Sequence, residues 1–205
     1  VYNGEAYLQS LFKNLTEVLI QYKNYVELII VNDGSLDETK NLIKNFQTKT
    51  QLICVLVNQK NKGEGEARNS GLFKSRGEYI VFLDCDDELL SDGIGHFHNH
   101  YHENKNFEAL LYSYIKVKQN KTEKLLNINN RVLQGLKKDV NILNRKVNYG
   151  IGSTYLKRDI IKTYRIKFSK FKNGADNDFF RKALIATKAC KEINHFNFKY
   201  IVRKN

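Results

Sequence analysis

Apolar positions in the first half of the chain alternate between a helical period and short unbroken runs. Leu8, Leu11, Phe12, Leu15 and Val18 or Leu19 recur at helical spacing, predicting an amphipathic helix over 5–22. Positions 26–31 form an almost continuous apolar run, a buried strand that stops at the turn Asn32-Asp33-Gly34-Ser35. Ser35 and Glu38 have capping-box spacing, predicting a helix that carries Leu42, Ile43 and Phe46 inward. A strand over 52–57, a helix over 63–75 and a strand over 79–83 follow. Strands alternating with helices of this length require crossover connections. The expected class is therefore α/β, with a Rossmann-like, mostly parallel central sheet flanked by helices.

Beyond 88 the alternation fades. The pattern predicts a helix over 88–102, a strand over 109–117, a polar stretch over 118–130 and a final helix over 176–188. A functional boundary is placed at 104, dividing a first half, 1–104, from a second, 105–205, with both halves sharing one sheet and no linker or repeat between them.

The run 79–83 ends abruptly at Asp84, Asp86, Asp87 and Glu88, four carboxylates within five positions. In open α/β sheets, ligands bind outside the carboxyl ends of strands. Carboxylates packed this closely repel unless a cation joins them, and hard divalent ions prefer such oxygens. A metal-bridged phosphate is one reading; a solvated acidic turn leading into the next helix is the other. Asp33 closes a second strand at the same edge, where it or Asn32 has the groups to bond a nucleobase or ribose. The segment from Gly63 to Asn69 adds a helix N-terminus and the cation of Arg68, a plausible neighbour for a diphosphate.

Composition narrows the rest. With 205 residues and 41% apolar positions the chain can fill one domain core, with a modest extension at most. No apolar run approaches a membrane span, which needs roughly 18–20 residues. Cys54, Cys85 and Cys190 are odd in number and widely spaced, which fits neither a disulfide framework nor a zinc site and favours a reducing cytoplasm. The formal charge of +12 favours anionic partners: nucleic acid, an anionic membrane or phosphorylated substrates. Val1 opens in mid-pattern without the apolar strand that should precede it, so the sequence reads as a truncated chain. His96, His98, His100 and His102 alternate, but a helix there splits them into two i, i+4 pairs rather than one metal-binding face.

Four ordered blocks in the first half resemble the family 2 glycosyltransferases with the GT-A fold. They are Val1-Tyr2-Asn3-Gly4-Glu5-Ala6-Tyr7-Leu8, Ile29-Ile30-Val31-Asn32-Asp33-Gly34-Ser35-Leu36-Asp37, the stretch from Gly63 through Ala67-Arg68-Asn69-Ser70-Gly71-Leu72, and Gly77-Glu78-Tyr79-Ile80-Val81-Phe82-Leu83-Asp84-Cys85-Asp86-Asp87. Further on, Gly174-Ala175-Asp176-Asn177-Asp178 is similar to the family's Gly-Glu-Asp block, with Ala175 where Glu is usual.

The resemblance implies a nucleotide-binding first half and, in the second, a smaller acceptor-side region that carries the catalytic base. It implies a transferase of EC 2.4 type that moves a sugar, with inversion, from a nucleotide-sugar, most often a UDP-sugar, to a hydroxyl of a saccharide or lipid-linked acceptor. Asp86 would bind Mn²⁺ or Mg²⁺, with Asp84 near the ribose or the metal. Tyr2, Asn3 and Asp33 would border the nucleoside, Arg68 would face the nucleotide or pack its helix, and Asp176 would be the general base, with Asp178 as its competitor. The product would be a surface polysaccharide or glycolipid, made in the cytoplasm or in peripheral contact with an anionic membrane at its inner face. Two alternatives are a nucleotidyltransferase, for which the glycine-rich basic loop is missing near Val1, and a basic nucleic-acid-binding domain, for which no binding motif is present. No nucleic-acid partner is expected.

Overall fold

A computed structural model describes residues 1–103, 107–118, 121–125, 132–144, 149–170 and 174–202. Helix α1 (Glu5–Leu19) ends in a 3₁₀ turn at Ile20–Tyr22 and buries Leu8, Leu11, Leu15, Val18 and Leu19, the periodic stripe of the sequence. Strand β1 (Glu27–Asp33), helix α2 (Thr39–Lys49), strand β2 (Ile53–Gln59) and helix α3 (Glu64–Lys74) follow as the pattern predicts. β1 and β2 pair in parallel, Glu27 opposite Ile53 through Asp33 opposite Gln59.

The capping box does not form. Ser35 Oγ instead accepts the Asn3 amide at 3.0 Å, and the first turn of α2 is capped by Asp37, which accepts the Thr39 amide at 3.1 Å. Glu5 of α1 accepts the Glu38 amide at 3.2 Å, so one residue of α1 does part of what the local pair was expected to do.

Past α3 the described strands form a second, seven-stranded sheet, separate in its pairing from β1 and β2 and mixed rather than mostly parallel. The run expected as a five-residue parallel strand enters a ladder only at β3 (Tyr79–Ile80), antiparallel to β8 (Thr154–Lys157). Beyond it the chain stays alongside through one bond, from the Gly152 amide to the Phe82 carbonyl at 2.8 Å. The expected helix over 88–102 begins later. Glu88–Leu89 forms strand β4, antiparallel to β9 (Ala189–Val202), and helix α4 runs Ser91–Glu103.

The long central strands β5 (Ala109–Lys118) and β9 run parallel, with irregular register between Tyr112 and Tyr114. β5 also pairs with β8 and with β6 (Lys121–Leu125), and β9 with β7 (Val132–Gln134), all antiparallel. The remaining helices are α5 (Gly135–Leu143), α6 (Arg158–Thr163) and α7 (Ala175–Ala186). The expected boundary at 104 and much of the polar stretch 118–130 lie outside the described residues.

Strand periodicity explains the layering. On β5, Leu110 and Tyr112 join the core built by α1, β1 and α4, while Ala109 and Leu111 join the core built by α6 and α7. Alternate residues of one strand thus serve opposite faces, giving an α/β fold with helices on both sides of a central sheet. α4 crosses β9 with backbone almost in contact at Gly93, where an added Cβ would meet Asn197.

Candidate functional site

The loops at the carboxyl end of β1, the start of α3, the turn after Leu83 and the start of α7 converge. Asp33 ends β1 and is 3% exposed. Its Oδ1 accepts Gln59 Nε2 at 2.6 Å and the Lys62 amide at 2.9 Å, and its Oδ2 accepts the Gly63 amide at 2.9 Å. The carboxylate therefore fastens the loop between β2 and α3 over the end of β1. Asn32, also buried, donates to Asn58 Oδ1 and accepts the Ser35 amide. Gly34 has φ of 75°, and a side chain there would reach to 2.6 Å from the Asn61 amide nitrogen, so the turn and the loop touch backbone to backbone. Asn3, at φ 47°, accepts the Leu36 amide at 2.9 Å and braces the same turn from outside, beside the exposed ring of Tyr2.

Arg68 is the electrostatic centre. Its side chain is 9% exposed and its fork is divided among three carboxylates. Nη1 donates to Asp176 Oδ1 at 2.6 Å; Nη2 donates to Asp84 Oδ1 at 2.7 Å and to Glu64, one helical turn earlier on α3. The guanidinium carbon also lies 5.5 Å from the centre of the Phe168 ring, within cation–π range. Burial pushes the Asp176 carboxyl above its ordinary range, with Arg68 opposing the shift and Asp84 adding to it. Glu64 is pushed up by burial in the same way. Burial alone would lower Arg68, but Asp84, Asp176 and Glu64 outweigh it and hold the guanidinium charged.

In the acidic turn, Cys85 packs into the first core beside Gly4, and the residues on either side of it, Asp84 and Asp86, are half-buried. Asp87 is buried and its Oδ1 accepts the Ile201 amide at 2.9 Å, tying the turn to β9. Burial and the facing carboxylates of Asp87, Asp84 and Asp86 push the Tyr200 phenol up. Among the described residues no three metal-donor side chains cluster. The donor set nevertheless fits Mg²⁺ or Mn²⁺, because a hard divalent ion at a phosphate site takes one or two carboxylates and completes its shell with phosphate oxygens and water. Asp84 and Asp86, both half-buried in this turn, are carboxylates of the kind such an ion takes.

The structure thus joins Arg68, Asp84 and Asp176 directly and sets Asp86 next to them in the same turn, with Asp33, Asn3 and Tyr2 along the neighbouring edge. Asp178 turns elsewhere: its Oδ2 accepts Lys182 Nζ at 2.7 Å on the same helix. Glu64, Phe168, Tyr200 and Ile201 are additions. Glu64 and Arg68 were visible as an i, i+4 pair, and Ile166-Lys167-Phe168 is similar to the family's stretch before the catalytic residue, but no local signal placed Tyr200 and Ile201 here, since that needs the path of β9. The histidines lie on α4 as two pairs: His96 and His100 rings are 6.0 Å apart, and His98 and His102 Nε2 atoms are 3.2 Å apart.

The fold has counterparts among solved structures. S. aureus TarS 1-349, solved in complex with UDP-GlcNAc, superposes with a TM-score of 0.83 at 19% identity, over 100% of this chain and 57% of that one. The mannosyltransferase PcManGT from Pyrobaculum calidifontis, in complex with GDP-Man and Mn²⁺, gives a TM-score of 0.65 at 17% identity, over 98% and 54%. These likenesses establish a shared fold. In sequence, the minor teichoic acid biosynthesis protein GgaA of Bacillus subtilis (strain 168) is 26% identical over 209 aligned residues, covering 100% of this chain and 46% of that protein. The chain therefore spans under half of that relative's length. The family model for glycosyl transferase family 2 matches residues 1–165, a stretch that contains Asp33, Arg68, Asp84 and Asp86 and stops short of Asp176. With that match covering most of its length, the chain belongs to the family 2 glycosyltransferases.

Proposed function

We propose that this chain transfers a sugar, with inversion at the anomeric carbon, from a UDP-sugar to a hydroxyl of a saccharide or lipid-linked acceptor in the synthesis of a bacterial surface polymer. The single observation that carries the reading is the bridge from Asp84 through Arg68 to Asp176, which sets a donor-side carboxylate and a candidate base one guanidinium apart. Asp176, with its carboxyl raised by burial, takes the proton from the acceptor hydroxyl as that oxygen attacks; a base works best when its pKa approaches the working pH. Arg68 holds Asp176 in place and keeps it ionised against the repulsion of Asp84. Asp86, with Asp84 beside it, binds the divalent ion. When bound, that ion neutralises charge developing on the leaving diphosphate. Asn3, Tyr2 and the turn held by Asp33 border the nucleoside.

The UDP-sugar preference is supported by the TarS complex with UDP-GlcNAc, and the metal by the PcManGT complex with Mn²⁺. The teichoic acid relative supports a cell-surface polymer. No helix among the described residues is long and apolar enough to cross a membrane, and the charge of +12 suits work at an anionic inner leaflet.

The test is calorimetric titration of UDP with Mn²⁺ and again with EDTA, for the unaltered protein and for Asp86→Ala. Saturable binding that needs both the metal and Asp86 is the expected result. UDP binding that ignores EDTA and the substitution would remove the metal from the mechanism, and no binding by folded protein would remove the UDP-sugar.

A further inference from the structure

Asn69 sits next to Arg68 on α3, yet its side chain does not face the carboxylates. Its Nδ2 donates to the Phe168 carbonyl at 3.0 Å, and its Oδ1 accepts the Phe168 amide at 2.9 Å. One side-chain amide thus satisfies both backbone polar groups of a residue 99 positions away, as a neighbouring strand would. Asn is suited to this because it carries a donor and an acceptor on one short arm; Asp ionised lacks the donor, and Ala lacks both.

The contact is built on three sides. One turn before Asn69, Gly65 lets α3 approach the same segment so closely that an added Cβ would stand 2.7 Å from the Ser169 carbonyl oxygen. The Phe168 ring, 3% exposed, stacks on Phe179 of α7 at 3.9 Å between centres and 4° between planes. Arg68 lies over that ring and reaches Asp176 in the first turn of α7. Asp176 follows Phe168 by eight positions in the chain.

We infer that Asn69 is a positioning residue for Asp176: by clamping the backbone of Phe168 to α3, it fixes the base-bearing helix α7 against the donor-binding half. The inference rests on the sugar-transfer reading above. α3 then has two duties. Arg68 bonds the base itself, and Asn69 anchors the segment from which the base-bearing helix departs. Misplacing a catalytic group by about 1 Å can cost roughly 10²-fold in rate without touching the binding of the other substrate.

The test compares Asn69→Ala with the unaltered protein in three readouts: turnover of a UDP-sugar, UDP affinity with Mn²⁺, and amide hydrogen exchange at Phe168 and over 174–178. Leu15→Ala, a change in the core under α1, serves as a control for general loss of stability. Expected are a fall in kcat of roughly 10²-fold, UDP affinity held within about threefold, and exchange at Phe168 and over 174–178 faster by about tenfold or more, with kcat unaffected in the control. If Asn69→Ala does not fold, Asn69→Ser takes its place, with the same expectations. The inference is overturned by a kcat within about twofold of the unaltered value, by UDP affinity falling in step with kcat, or by unchanged exchange over 174–178. Should the unaltered protein neither bind UDP nor turn over the sugar, the sugar-transfer reading fails by itself, and the exchange measurement still decides whether Asn69 fixes α7.

Discussion

Arg68 Nη1 stands 2.6 Å from Asp176 Oδ1 across 108 positions of sequence, and the same guanidinium holds Asp84 at 2.7 Å. One cation therefore serves three carboxylates, counting Glu64. Its removal would leave them facing one another with their charges uncompensated.

Arg68→Ala should cost about 1.5–3 kcal/mol, the range for losing charge-assisted bonds, and lower the melting temperature by roughly 3–12 °C for a chain of this size. Arg68→Lys should recover only part of that, because an ammonium cannot fork between two carboxylates. Thermal unfolding of both variants checks this. Equal melting temperatures for Lys and Ala would mean that the fork, rather than the charge, does all the stabilising.

Asp176→Asn should reduce transfer by about 10²–10⁴-fold, the usual contribution of a general base. The pH dependence has a definite sign. Because the folded-state pKa of Asp176 is raised, transfer by the unaltered protein should fall with acid at a pH above the ordinary carboxylate range. The folded chain also holds that proton more tightly than the unfolded one. Its contribution to stability is therefore greatest at low pH and is lost as pH rises through the folded pKa. Asp176→Asn should accordingly be no less stable than the unaltered protein at neutral pH. A pH–rate profile and a melting curve at two pH values test both signs.

The first half was legible because its signals are local. The stripe from Leu8 to Leu19, the run into Asn32-Asp33-Gly34 and the acidic turn after Leu83 each announce an element or an edge within a few residues. The mixed sheet was not legible. β3 and β4 are two residues each and find their partners in β8 and β9, which lie far along the chain, so the apolar run from Tyr79 looked like a longer strand than it is. β9 escaped altogether because lysines, Asn194 and His195 interrupt its apolar residues. In the site, the residue types of the acidic turn were readable from the carboxylate spacing. The Arg68 bridge and the Asn69 clamp were not, since both join α3 to a segment about a hundred positions later.

Asp33→Asn should loosen the loop between β2 and α3. An amide in place of this carboxylate turns a donor toward one or more of the Gln59, Lys62 and Gly63 groups that now donate to it. Losing charge-assisted bonds at a residue this buried should cost about 1.5–3 kcal/mol. Denaturant midpoints give the cost, and faster amide exchange at Lys62 and Gly63 locates it. Undiminished protection of those two amides would contradict the fastening role.

The histidines of α4 set a last expectation, for acid. His96 Nδ1 is 3.0 Å from the Tyr112 hydroxyl on β5, and its ring stacks at 4.1 Å on His195 of β9, with His100 at 6.0 Å on its own helix and Lys191 of β9 also near. Burial first, then His195, His100 and Lys191, pull the His96 pKa down to about 4 from 6.5. The folded protein therefore binds this proton less readily than the unfolded chain. The stability it contributes is fully present above 6.5 and is lost as pH falls toward 4. His100 is lowered as well, by burial and Lys191 against the pull of Glu103, so it adds to the acid sensitivity where α4 packs on β9. Urea midpoints measured between neutral pH and about pH 4.5 should fall steeply for the unaltered protein. His96→Gln keeps a polar partner for Tyr112 but cannot take the proton, so its midpoint should fall less over that interval. An unchanged slope in the variant would assign the acid sensitivity to other groups.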